Sequence, residues 1–264
     1  MSETKVSPVE TGVSCLFVHG WGMNHIIWQP LMEALPGWIE TRAIDLPGHG
    51  RRQNEPLTDL QHLGEDLARQ CIAFRKKNRP LILVGWSLGG LACLKVAIDR
   101  LAPIDGLLLV STNPCFVSRP GWDFGVDGKI FDQFAKSLHE DFSGTIRRFL
   151  SLQVKGSESG RVILRGLRER VLQQPQPGKE SLDAGLQILR QVDLRLQLQK
   201  ISQPVSWALG AQDGLVRAEL IAVLKTLMPR ADTHQYAAAG HAPFLSHTDK
   251  FIQQLTEFVK LVQV

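Results

Sequence analysis

The chain has 264 residues, is 44% hydrophobic and 21% charged, and carries a net charge of +4. These values fit a globular protein whose core needs neither disulfides nor metal. They exclude nucleic-acid binding driven by bulk charge, and no apolar run approaches the roughly 18 residues that span a bilayer.

Residues 1–10 include acidic side chains and no apolar segment, so no signal peptide is expected. Four cysteines, Cys15, Cys71, Cys93 and Cys115, lie far apart and form no C-x-x-C pair. Reduced structural thiols and a cytoplasmic setting follow. Residues 13–18 form an apolar run that reads as a strand, and His19-Gly20-Trp21-Gly22 follows it. A small-residue turn after a strand leaves backbone N–H groups free to meet a ligand. His19 reads as orienting that loop through hydrogen bonds rather than as a base. Residues 40–44 read as a second strand, running into the Pro- and Gly-punctuated loop Asp45-Leu46-Pro47-Gly48-His49-Gly50. Asp45 is a nominal catalytic acid by its place at a strand end. It precedes the serine described next, the wrong order for this layout, and reads as structural. Residues 62–76 have helical periodicity through Leu63, Leu67, Cys71 and Phe74, with Arg75-Lys76-Lys77 as a solvated end.

Residues 81–84 read as a buried strand that enters Gly85-Trp86-Ser87-Leu88-Gly89, and a helix follows over 91–99. Strand, G-x-S-x-G turn and helix together are the setting of a nucleophile elbow. A glycine-rich turn with a capping serine is the plainer alternative, and the flanking strand and helix weigh against it. In a serine hydrolase of this layout, an N–H from the turn after the first strand joins that of the residue after the nucleophile in an oxyanion hole. Those residues are Trp21 and Leu88.

Residues 106–110 form another strand. Strands alternating with helices to this point predict an α/β fold, a mostly parallel sheet flanked by helices. Near Pro114 the pattern changes. Residues 115–190 hold no convincing strand and read as helices over 129–139, 143–152, 159–173 and 182–191. The expected organisation is a core of 1–113 and 191–264 with an inserted all-helical lid over 114–190. From Ser143 to Leu172, seven basic residues are opposed only by Glu158 and Glu169. Arg161, Arg165 and Arg168 share one helix face, beside an apolar stripe of Leu164, Leu167 and Val171. A local positive surface suits an acidic partner.

The sheet resumes over 204–210, and Asp213-Gly214-Leu215-Val216 follows. An acid after a late strand stands where a third triad member belongs, with Asp193 as the alternative. A last strand over 233–237 precedes His241, the best placed base among eight histidines. A helix over 250–264 closes the chain. Ser87, Asp213 and His241 occur in the chain order of this hydrolase layout. His241 would take the Ser87 proton as the serine attacks a carbonyl, and Asp213 would fix the imidazole tautomer. That chemistry needs no metal and no organic cofactor.

The sequence resembles the pimeloyl-[acyl-carrier protein] methyl ester esterases of biotin synthesis, in the α/β-hydrolase superfamily, over nearly its whole length. The resemblance rests on the turn at 19–22, the elbow at 85–90, Asn113-Pro-Cys-Phe116, Arg148-Phe-Leu-Ser-Leu-Gln153, Gly185-Leu-Gln-Ile-Leu189, Val192-Asp-Leu-Arg195, Asp213-Gly-Leu-Val216 and the segment 241–247. It implies a carboxylesterase that removes the methyl ester masking the distal carboxylate of a carrier-bound pimeloyl chain. It puts the catalytic residues on Ser87, Asp213 and His241. It puts substrate contacts on Trp21, Leu88, His241 and the run Phe149, Leu150, Ser151, Leu152 and Gln153. It puts contacts to the acyl carrier protein on Arg148, Arg161 and Arg165. A further family arginine falls on Gly144, a departure from the pattern. A monomer with no nucleic-acid or membrane partner is expected. A general short-chain carboxylesterase or thioesterase would share the same triad. A non-catalytic ligand-binding relative is the alternative of another class, and an intact triad argues against it.

Overall fold

The computed structural model describes residues 12–154 and 158–263. Six parallel strands form one sheet: β1 (Val13–Val18), β2 (Ile39–Ile44), β3 (Leu81–Trp86), β4 (Gly106–Val110), β5 (Val205–Gly210) and β6 (Asp232–Tyr236). Their order is β2-β1-β3-β4-β5-β6. Strands β1, β3, β4 and β5 are buried along their whole length, as continuous apolar runs in a sheet covered on both faces should be. The edge strands β2 and β6 carry exposed polar positions, which blunt their unpaired edges.

Helices α1 (Gln29–Ala34), α2 (Leu60–Phe74) and α3 (Leu88–Asp99) belong to the first half. Helices α4 (Gly128–Glu140), α5 (Phe142–Gln153), α6 (Glu158–Gln173) and α7 (Lys179–Gln191) lie between β4 and β5. Helices α8 (Leu220–Leu227), α9 (Pro243–Ser246) and α10 (Thr248–Val262) complete the chain.

The strands and the longer helices fall within a few residues of their expected bounds. Helix α3 differs instructively, because it starts at Leu88 rather than at 91. The sequence reads as a G-x-S-x-G turn through Gly89, with the helix beginning just after Gly90. A Cβ on Gly89 would lie 2.5 Å from the carbonyl oxygens of Val18 and His19. Only glycine lets this helix start so close to the end of β1. Helices α1, α8 and α9 and a 3-10 turn over Arg195–Lys200 have no counterpart in the sequence reading. The basic end of α2 is not merely solvated either: Arg75 pairs with Asp105 at 2.7 Å.

The ends of the helical insertion meet, where the Leu194 N–H donates to the Pro114 carbonyl at 2.9 Å. Hydrogen bonds between the insertion and the rest of the chain include three to carbonyls of its helices. Trp21 Nε1 donates to the Leu182 carbonyl at 2.8 Å, and Asn24 Nδ2 to that of Val171 at 3.1 Å. The Ala242 N–H donates to the Gln153 carbonyl, the last residue of α5, at 2.9 Å. From β1 the chain passes to β2 on one side and then to β3 on the other. A parallel sheet opens a crevice at such a reversal, outside the carboxyl ends of its strands. Trp21 follows β1 there, and Ser87 follows β3.

Candidate active site

Ser87 has φ 55° and ψ −115°, backbone that a non-glycine residue adopts at a cost of about 1–3 kcal/mol. The surroundings enforce it. The Ser87 N–H donates to the Val110 carbonyl at 2.9 Å, and the Leu91 N–H returns to the Ser87 carbonyl at 3.2 Å. Leu88 is the first residue of α3, so its N–H has no partner within the helix. The β1 turn approaches the same point, since a Cβ on Gly20 would lie 3.3 Å from that of Ser87.

Asp213 and His241 come from neighbouring loops, after β5 and β6. The loops are bonded to each other, Ala211 N–H to the Tyr236 carbonyl at 2.9 Å and Gln212 N–H to that of Ala239 at 2.8 Å. His241 Nδ1 lies 2.7 Å from Asp213 Oδ2. Asp213 Oδ1 accepts the N–H groups of Leu215, at 2.8 Å, and Val216, at 3.0 Å. A carboxylate held this way accepts the Nδ1 proton, which leaves the lone pair on Nε2. Nε2 of His241 is buried and has no hydrogen-bond partner among the described residues. Trp86, the neighbour of Ser87, donates from Nε1 to the His241 carbonyl at 2.8 Å. The loop after His241 is anchored by Phe244, stacked on Trp28 at 4.1 Å and edge-on to Trp86 at 5.3 Å. Such ring pairs contribute about 0.5–1.5 kcal/mol each beyond burial.

Ser87 opens into a cavity of about 140 Å³. Trp21 and Leu215 line its core side, and the insertion supplies Phe116 ahead of α4, Phe131 and Phe134 from α4, Phe149 from α5, and Leu186 and Leu189 from α7. Ser87 is the only polar residue among the described residues of the lining. The structure thus sets the Ser87 hydroxyl at an apolar cavity and holds a carboxylate-oriented imidazole on a loop that is tied, through the His241 carbonyl, to the residue before Ser87. Among the described residues, no group of three or more His, Cys, Asp or Glu is placed to hold a metal ion.

The other candidates separate cleanly. Asp193 is engaged by Arg195, at 2.8 and 2.7 Å. Asp45 accepts from the His25 N–H at 2.7 Å and the Arg51 N–H at 3.1 Å. Burial opposes its ionisation, but hydrogen bonds from the His25 side chain and backbone hold its carboxyl below the usual range. All four cysteines are free and buried, and burial pushes the Cys71 thiol up to about 12.

The family model described as the alpha/beta hydrolase family matches residues 15–254. The pimeloyl-[acyl-carrier protein] methyl ester esterase of Photobacterium profundum is 36% identical over 249 residues, covering 94% of this chain and 95% of that protein. The protein of the same name from Salmonella typhimurium is 37% identical over 242 residues, covering 91% of each. The chain belongs to the alpha/beta hydrolase family, among its pimeloyl-[acyl-carrier protein] methyl ester esterases. Among solved structures, an esterase from Exiguobacterium antarcticum aligns with a TM-score of 0.83 at 21% identity, over 95% of this chain and 92% of that one. A bromoperoxidase from Bacillus anthracis aligns at 0.80 and 19% identity, over 95% and 92%. At such identities the likeness is one of fold, and a fold hosts many chemistries.

In the run that the family resemblance singles out, Phe149 lines the cavity, edge-on to Trp21 at 5.3 Å. Leu150 is buried outside the lining, and Ser151 is exposed, its hydroxyl donating to the Arg147 carbonyl at 3.0 Å. Leu152 lies on α5, with its side chain outside those described. Gln153 is fully buried, and its Nε2 donates to the Phe149 carbonyl at 2.7 Å. Arg148, Arg161 and Arg165 are exposed on α5 and α6, where the Arg148 guanidinium bonds Thr145 at 2.9 Å and lies 3.7 Å from Asp141. Of the wall residues, Phe131 and Phe134 are not singled out by the sequence, and Leu186 and Leu189 enter only within the resemblance motif over 185–189, with no role assigned. Their only physical signal is an i, i+3 apolar spacing, shared with any packed helix.

Two buried imidazoles lie under the β1 turn. Burial, with His49 nearby, pushes His19 down to about 3, and burial lowers His49 too. A histidine whose folded pKa lies below its unfolded value binds fewer protons when folded, so stability falls as pH falls. The loss begins near the unfolded value of about 6.5 and continues towards 3, at about 1.4 kcal/mol per pH unit for one such group. Denaturant melts at pH 7 and pH 5 are expected to differ by about 2 kcal/mol or more. Equal unfolding free energies at the two pH values would contradict this.

Proposed function

We propose that the protein is a serine carboxylesterase that hydrolyses the methyl ester of pimeloyl-[acyl-carrier protein], with Ser87, His241 and Asp213 carrying the reaction. The observation that carries the reading is the His241–Asp213 contact, with Nε2 unpartnered, together with a strained Ser87 that opens into an apolar cavity. His241 Nε2 takes the Ser87 proton as Oγ attacks the ester carbonyl. The tetrahedral oxyanion is received by the N–H groups of Trp21 and Leu88, each worth about 3 kcal/mol. His241 then protonates the departing methoxide, and methanol leaves an acyl-enzyme. Water, deprotonated by the same imidazole, releases the carboxylic acid and restores Ser87.

Residues 114–190 act as a lid that seats the acyl chain against the ring cluster of Trp21, Phe134 and Phe149. Arg148, Arg161 and Arg165 present positive charge on the outer faces of α5 and α6, where an acidic carrier protein would dock. The four buried, unpaired thiols suit a cytoplasmic enzyme. No helix among the described residues is long and apolar enough to cross a membrane.

Two assays test this. Methyl pimeloyl-carrier protein should be cleaved with a higher kcat/KM than p-nitrophenyl esters of similar chain length. A preference for the free esters sinks the substrate assignment and leaves a general esterase. Reversing Arg161 and Arg165 to Glu should raise KM for the carrier-linked ester about tenfold and leave that for free esters unchanged. An unchanged carrier KM removes the docking surface.

A further inference from the structure

The turn beside Ser87 is held by a reciprocal pair of histidines. His19, in the β1 turn, has Nδ1 2.7 Å from the Gly20 carbonyl, and its Nε2 accepts the Leu46 N–H of the β2 loop at 3.0 Å. His49, in the β2 loop, has Nδ1 3.0 Å from the Pro47 carbonyl, and its Nε2 accepts the Gly22 N–H of the β1 turn at 3.3 Å. Carbonyls only accept and N–H groups only donate, so both rings must be neutral, with the proton on Nδ1. Each loop thus lends an imidazole to the backbone of the other. The rings lie 5.2 Å apart and are fully buried.

The Trp21 side chain is held from the insertion, through its Nε1 bond to the Leu182 carbonyl at 2.8 Å, but the backbone of the turn itself is closed only loosely. Gly22 has φ +68°, the left-handed region, and the closing bond from the Met23 N–H to the Gly20 carbonyl is 3.3 Å long. Trp21, which stands between Gly20 and Gly22, supplies the first oxyanion donor in the function proposed above. An oxyanion donor works only if it is set in place before charge develops, because a loose N–H must be reoriented during the reaction.

We propose that His49 is a positioning residue for ester hydrolysis, acting through the Gly22 N–H to hold the Trp21 N–H where the oxyanion forms. The inference rests on the reading of Trp21 as an oxyanion donor. His49 itself touches no reacting atom, and its contribution is made through the backbone of the neighbouring turn.

Two uncharged variants separate this role from simple packing. In His49→Gln the side-chain oxygen reaches the place of Nε2 and can accept from Gly22. In His49→Asn the amide is too short to do so, though it can still bond Pro47. The measurements are kcat and KM on an ester substrate, and the affinity for an alkyl trifluoromethyl ketone, whose adduct with serine carries an oxyanion. His49→Gln is expected to stay within about threefold of wild type. His49→Asn is expected to lose at least tenfold in kcat and in ketone affinity, with KM nearly unchanged, below the 10²–10³ for loss of a whole donor. Equal kcat and equal ketone affinity in the two variants overturn the positioning role. If instead the ketone fails to inhibit the wild-type enzyme, the oxyanion reading falls, and this proposal with it. A thermal melt of each variant checks that the comparison is made on folded protein.

Discussion

Ser87→Ala is expected to lower kcat by about 10⁶-fold, the scale on which removal of a serine nucleophile acts in an intact triad. The change deletes one oxygen and leaves the backbone demand as it was, because alanine at φ 55° meets the same strain that serine does. The bonds that set the elbow, Ser87 N–H to Val110 and Leu91 N–H to Ser87, are made by backbone and survive the substitution. Melting temperature should therefore barely move while hydrolysis is lost. A fluorophosphonate probe supplies a second readout, forming a covalent adduct with wild type and none with the variant. Retention of even about one hundredth of wild-type turnover would show that another group attacks the ester.

Asp213→Asn should cost about 10⁴-fold in kcat, by a route visible in the hydrogen bonds. Two backbone donors, the N–H groups of Leu215 and Val216, converge on Oδ1. They force an amide in this place to put its oxygen there, which leaves its NH₂ facing His241 Nδ1. An NH₂ cannot accept a proton, so the imidazole must turn Nδ1 into the acceptor and carry its hydrogen on Nε2. The base is then protonated on the nitrogen that should receive the Ser87 proton. KM should change little, because Asp213 does not line the acyl cavity. A loss below tenfold would mean that Asp213 does not set the tautomer.

What could be read before the structure, and what could not, follows from the range of the forces involved. Strands β1, β3, β4 and β5 are buried on both faces, so they appear as unbroken apolar runs between turn residues. Ser87 and Asp213 sit just behind such runs, β3 and β5, while His241 follows the more polar edge strand β6, and in each case local punctuation marks a loop at a strand end. The cavity wall is different. Phe131 and Phe134 on α4, or Leu186 and Leu189 on α7, show only that one face of each helix is buried. Whether that face meets the core, another helix or a substrate depends on packing between segments more than fifty residues apart. Helix α8 escaped notice because Leu220–Leu227 is short and mostly apolar, and α1 because it spans only six residues. His49 lies in a Pro-Gly loop with no periodicity at all. Its bond to Gly22 spans 27 positions and depends on two loops meeting.

The bond from Ala242 to the Gln153 carbonyl bears on how such enzymes can be recombined. The ends of the insertion meet at Pro114 and Leu194, which invites treating the whole segment as a cassette to be exchanged for that of a relative. The third tie makes the exchange conditional. A grafted segment must end its second helix in the same register, with a carbonyl offered to the residue after His241. A donor segment longer or shorter by one residue there would rotate that carbonyl by about 100° around the helix. Chimeras that respect the two splice points yet miss this register would carry a full set of catalytic side chains and still misplace the imidazole.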